Sequence, residues 1–130
     1  MTNHTLSIFD FENYKDFLNL FFSKGVDGKR RGIRSEFARQ IGCQLAYVSR
    51  VLNEDAHLSL EQADRANEFL GHTKVEAKYF LTLVSWARAG TSSLKHKLAE
   101  ELQEQKSARL RLKNRVTLQE ILNPEFQATY

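Results

Sequence analysis

Proline occurs once in the 130 residues, at Pro124, and glycine six times. Such scarcity argues against an architecture of short strands joined by tight turns, which leans on both residues. Cysteine also occurs once, at Cys43. An intramolecular disulfide is therefore impossible, no thiolate cluster can hold zinc, and a reducing, cytoplasmic setting is the default expectation. His4, His57, His72 and His96 lie far apart with no ligand spacing, so no metal and no other cofactor is expected. No apolar run approaches the ~20 residues that cross a bilayer. The opening "MTNHTLSIFDFENYK" lacks the basic region and apolar stretch of an export signal. Neither a membrane nor an exported location is expected.

Catalytic signatures are missing as well. No Ser sits in a nucleophile-elbow context. "GVDGKRRG", residues 25–32, lacks both the spacing and the upstream strand of a phosphate-binding loop. The chain is not expected to be an enzyme.

What is present is an ordinary globular composition, 42% hydrophobic and 27% charged, at a length suited to one domain with an appended element. The net charge is only +3, but it is unevenly spread. Residues 24–50 carry Lys24, Lys29, Arg30, Arg31, Arg34, Arg39 and Arg50 against Asp27 and Glu36. Residues 94–116 carry Lys95, Lys97, Lys106, Arg109, Arg111, Lys113 and Arg115 against Glu100, Glu101 and Glu104. Two basic zones on a near-neutral background suit a polyanionic partner, although solvated helix surfaces would give the same counts.

Helical spacing dominates the pattern. Asp10 can cap a first helix whose stripe is Tyr14, Phe17, Leu18, Phe21 and Phe22, stopping near residue 24 before a basic loop. Ser35 can open a short helix with inner face Phe37, Ala38 and Ile41, closed by Gly42; glycine tolerates the left-handed backbone that a tight stop requires. A second short helix turns Val48, Val51 and Leu52 inward. Ser59 with Gln62 and Thr73 with Glu76 form capping-box patterns for two further helices, stopped at Gly71 and Gly90. Another helix begins at Leu94, its stripe of Leu98 and Leu102 weakening at Gln105 and Lys106, and Thr117 with Glu120 offers one more start before Pro124. No strand pattern competes, so the fold class is all-α. Residues 1–90 read as a compact head and 91–130 as a basic helical extension.

"SEFARQIGCQLAYVSRVLN", residues 35–53, has the volumes a helix-turn-helix requires. Two short helices sharing one small seam need a bulky Phe37, a small Ala38, apolar Ile41, Val48 and Val51, and Gly42 followed by a small Cys43. The second helix then has a free polar face that can enter a DNA major groove.

Together with "LSLEQADRANEFLG", residues 58–71, this stretch resembles the lambda-repressor-like (Cro/CI-type) helix-turn-helix family, over roughly residues 10–71 with the motif at 34–53. More broadly, "DFENYKDFL" and "EAKYFLTLV" look like the N-terminal part of a poorly characterised bacterial family of predicted transcriptional regulators. The resemblance implies a five-helix lambda-repressor-like DNA-binding domain, here with extra C-terminal helices. It also implies a homodimer acting on double-stranded DNA as a sequence-specific transcriptional regulator. Carried over, Gln44, Ala46, Tyr47 and Arg50 would face bases or adjacent phosphates, and Ser49 and Asn53 the backbone. Arg34, Lys29, Arg30 and Arg31 would neutralise phosphates. Leu45 and Ala46 depart from the small polar residue or Pro usual in the family, and Gln44 from the usual Ser or Thr cap. The alternative expectation is a protein-interaction module of the same fold, docking a partner through Leu45, Tyr47 and the region of Trp86.

Overall fold

The computed structural model describes residues 6–23 and 32–122, with side chains as far as residue 114. A 3-10 turn at Ile8–Asp10 precedes α1 (Tyr14–Ser23), α2 (Ile33–Ile41), α3 (Leu45–Asn53), α4 (Leu60–Leu70), α5 (Lys74–Arg88) and α6 (Ser92–Leu122). The described residues contain no strand. The protein is all-α.

Local chemistry explains most helix ends. Ser59 Oγ accepts from the Gln62 N–H at 3.0 Å while Gln62 Oε1 accepts from the Ser59 N–H at 2.9 Å. Thr73 and Glu76 repeat the exchange at 3.3 and 2.8 Å. Each box satisfies two of the amides that a helix start leaves free. Gly42 and Gly71 close α2 and α4 at φ 84° and 71°, the left-handed region where a side chain is strained.

Three expected starts move. Asp10 ends the 3-10 turn, and Asn13 Oδ1 instead accepts the Lys15 N–H at 2.8 Å. Burial of Ile8 and Phe9 draws Asp10 into that turn. Ser35 lies inside α2, whose N-cap is Gly32 at φ 82°; Ile33 packs against the core and carries the helix back to it. Thr117 opens no new helix, because α6 runs unbroken from Ser92 to Leu122 with neither Gly nor Pro inside it. The expected stops near residue 24 and at Pro124 lie outside the described residues.

A largely aromatic core joins the first five helices. Tyr14, Phe17, Phe22, Phe37, Tyr79 and Phe80 are all buried. Edge-on pairs link Phe22 to Phe37 at 5.2 Å and Phe37 to Phe69 at 5.3 Å. Contacts of this kind add ~0.5–1.5 kcal/mol beyond area burial. Asn67, almost fully buried, ties α4 to α5: its Nδ2 donates to the Ala77 carbonyl at 3.1 Å, and its Oδ1 lies 2.7 Å from His72 Nδ1.

The expected division at residue 90 falls in the turn between α5 and α6, and α6 folds back along α5. Lys95 Nζ lies 4.1 Å from the Trp86 ring centre and donates to the Trp86 carbonyl at 3.1 Å. Gln105, only 8% exposed, donates to Thr82 Oγ1 at 3.0 Å and to Glu101 Oε2 at 3.1 Å. The Arg109 guanidinium covers the Phe9 ring at 4.5 Å.

Candidate nucleic-acid interface

The inner seam is as tight as the side-chain volumes require. Phe37, Ala38, Ile41, Val48 and Val51 are each at most 3% exposed. Between them the Gly42 N–H donates to the Ala38 carbonyl at 3.0 Å and the Cys43 N–H to the same oxygen at 2.9 Å. Arg65 Nη1 donates to the Ile41 carbonyl at 3.3 Å, so α4 also holds the end of α2. Cys43 is half-buried beside this seam, and burial pushes its thiol up. A raised pKa makes it a poor nucleophile at neutral pH.

With Val48, Val51 and Leu52 turned inward, α3 leaves Ala46, Ser49, Arg50 and Asn53 exposed. These positions recur at three and four residues, so they form one stripe. Gln44, the extended N-cap of α3, makes no side-chain cap bond and is exposed, as is Arg34 on α2. Leu45 is 44% exposed at the head of the same helix.

Arg50 is pre-oriented. Its guanidinium lies 5.7 Å from the Tyr47 ring centre, and its Nε is 3.9 Å from Glu54 Oε1. Both ionic side chains are more than half exposed, so the pair is worth at most ~1 kcal/mol. A bidentate bond to guanine, worth ~1–3 kcal/mol of discrimination, would outcompete it. Arg34 rests against the Phe22 ring at 5.5 Å, which directs its side chain, and it has no ionic partner among the described residues.

Tyr47 has a different neighbourhood from its exposed neighbours. The ring is half-buried, and its hydroxyl donates to the His57 carbonyl at 2.7 Å. That bond belongs to a clasp around residues 54–58, the link from α3 to α4. Tyr14 OH accepts the buried Leu58 N–H at 3.1 Å and lies 3.0 Å from His57 Nδ1. The Tyr14 oxygen thus bridges the Leu58 amide and the His57 ring. Lys15 Nζ donates to the Glu54 and Ala56 carbonyls at 2.8 and 2.7 Å. Asn19 Nδ2 donates to the Leu52 carbonyl at 3.2 Å, and Arg88 Nη1 to the Leu58 carbonyl at 3.1 Å. The clasp perturbs its members. Burial raises the Tyr14 phenol to about 12. Burial and then the cations Lys15, Arg88 and Lys95 lower the His57 imidazole.

Lys29, Arg30 and Arg31 lie outside the described residues. Residues Tyr14, Lys15, Asn19, His57 and Arg88 carried no signal as site-forming in the sequence, because their partners are backbone carbonyls or amides dozens of positions away. Among the described residues no group of three or more His, Cys, Asp or Glu could hold a metal ion. No described helix is long and apolar enough to cross a membrane.

The described residues thus define an all-helical protein that clamps one short helix by its apolar face and by both ends, leaving a polar stripe outward. Comparison with protein-family models, with curated proteins and with solved structures finds no match for the chain.

Proposed function

We propose that the chain is a sequence-specific DNA-binding transcriptional regulator. In this reading α1–α5 form a lambda-repressor-like five-helix domain, and α3 is the recognition helix. The observation that carries it is the exposed stripe of Ala46, Ser49, Arg50 and Asn53, flanked by Gln44 and Arg34, on a helix whose other face is buried. Arg50 reads guanine, and Gln44 with Ala46 meets neighbouring base edges. Ser49 and Asn53 touch the backbone. Arg34, with Lys29, Arg30 and Arg31 from the basic segment before α2, neutralises phosphates. Tyr47, its hydroxyl already engaged, offers only its ring edge and supports Arg50. A cytoplasmic homodimer would read two half-sites about 34 Å apart.

Selection from a random duplex pool, followed by a salt series on the winning site, tests this. Four phosphate contacts per chain, eight in the homodimer, predict that log K falls with log salt at a slope of about −7. Arg50→Ala should weaken the selected site by roughly 1–3 kcal/mol and relax base preference, while changing Arg30 and Arg31 together should weaken all duplexes alike. No enrichment, or binding indifferent to salt, would refute it. The exposed Leu45 favours one rival, a protein-docking module of the same fold, for which salt-independent binding would be the expected outcome.

A further inference from the structure

On the side of the molecule built by α5 and α6 lies a cleft of about 180 Å³, lined by Glu12, Tyr79, Trp86, Ala99, Leu102 and Lys106 with Gln103 beside them. Its volume equals about six waters at ~30 Å³ each, below the roughly 300–1,000 Å³ of drug-sized sites. An amino-acid-sized molecule is what it can hold. The floor is aromatic and aliphatic: Tyr79 is fully buried, Leu102 packs against the core, and Trp86 is half-buried.

The rim carries one acid and one base from different parts of the fold. Glu12 comes from the link before α1 and Lys106 from the middle of α6. Neither makes an ion pair or hydrogen bond with another described residue, whereas Lys95, Gln105 and Arg109 on the same helix are all engaged. Glu12 is held next to the floor, because the Tyr79 hydroxyl donates to the adjacent Phe11 carbonyl at 3.3 Å. Burial chiefly, and then the Glu12 charge, raises the Tyr79 phenol, in keeping with that proximity.

The geometry points to a binding site for a small zwitterion with an apolar side chain, a free amino acid in size and charge. Its ammonium meets Glu12, its carboxylate meets Lys106, and its side chain lies on Trp86 and Leu102. No residue of α3 takes part, and the site is independent of DNA binding.

Trp86 is the only tryptophan in the chain, so its emission reports occupancy directly. L-leucine titrated into the full chain should change that emission saturably below about 10 mM, the weak-binding end of the affinity scale. Leucinamide, without the carboxylate, and 4-methylpentanoate, without the ammonium, should each bind about fivefold more weakly, as loss of one partly screened ion pair allows. Lys106→Gln should erase the preference for leucine over leucinamide and keep the preference over 4-methylpentanoate; Glu12→Gln should do the reverse. Both positions reach solvent, so neither change threatens folding. Absence of a saturable response, equal binding of all three compounds, or an unchanged preference pattern in the variants would each overturn the assignment.

Discussion

Tyr14→Phe isolates the contribution of a single oxygen to the clasp behind α3. The ring is fully buried and packs edge-on against Phe80 at 6.0 Å, and phenylalanine keeps that packing. What disappears is the acceptor for the Leu58 N–H and the partner of His57 Nδ1. Leu58 is itself fully buried, so its amide cannot turn to water. A buried donor left without a partner costs ~1–3 kcal/mol, whereas a hydrogen bond exchanged for water costs only ~1. The buried geometry selects the larger range, so the loss should be about 2 kcal/mol. For a chain of this length that is a fall of roughly 7 °C in Tm. Urea unfolding followed by circular dichroism, with an unchanged m-value, gives the number directly. A loss below ~0.5 kcal/mol would mean that Leu58 finds another acceptor, and the account of residues 54–58 as a pinned link would fail.

Gly42→Ala should destabilise by about 1–2 kcal/mol because φ is 84°; the new Cβ would also meet Arg65 Nη1 at 3.0 Å, a flexible tip that can yield, so backbone strain dominates. Chemical denaturation checks it, and a neutral result would place the turn in another conformation. Burial chiefly lowers both His57 and His72, the latter between Phe17 and Phe80. The unfolded chain therefore binds protons first, and stability present above about pH 6.5 should drop as pH falls through the lower folded values. The urea midpoint followed across that window should decline, and less so in a His57→Gln, His72→Gln double variant; a flat midpoint would contradict the burial assigned to both rings. Gln105 Oε1 is buried without a partner among the described residues. Gln105→Met, which keeps the volume and removes that orphan, should leave stability within about 0.5 kcal/mol or raise it by up to ~1 kcal/mol. A large loss in thermal unfolding would show that its bond to Thr82 matters more than the orphaned oxygen.

Features whose physics is local were readable in the sequence. The Ser59–Gln62 and Thr73–Glu76 boxes and the stops at Gly42 and Gly71 rest on partners within four residues, so residue type alone announces them. Where two local solutions competed, tertiary packing chose. Asp10 and Asn13 are both competent caps, and burial of Ile8 and Phe9 assigned the role to Asn13. Ser35 lost to Gly32 because Ile33 is wanted by the core. The folding back of α6 was hidden because its seam, beyond Leu102, relies on Gln105, Lys95 and Arg109, residues that read as a solvated polar run. For the candidate interface, the alternation of buried and exposed positions along α3 was legible from spacing. Tyr47 looked like another outward residue, and only the position of the His57 carbonyl turns its hydroxyl home.

Lys15 has a consequence beyond tethering. A helix accumulates partial negative charge at its C-terminal pole, equivalent to roughly half an electron, which repels anions. Just past that pole of α3 sits a resident counter-ion, because the Lys15 ammonium is fixed on the carbonyls of the C-cap Glu54 and of Ala56 and feels Asp55 as well. An approaching polyanion would therefore meet a helix end whose charge is already offset, leaving Glu54 as the counter-charge that Arg50, one turn earlier, would have to release.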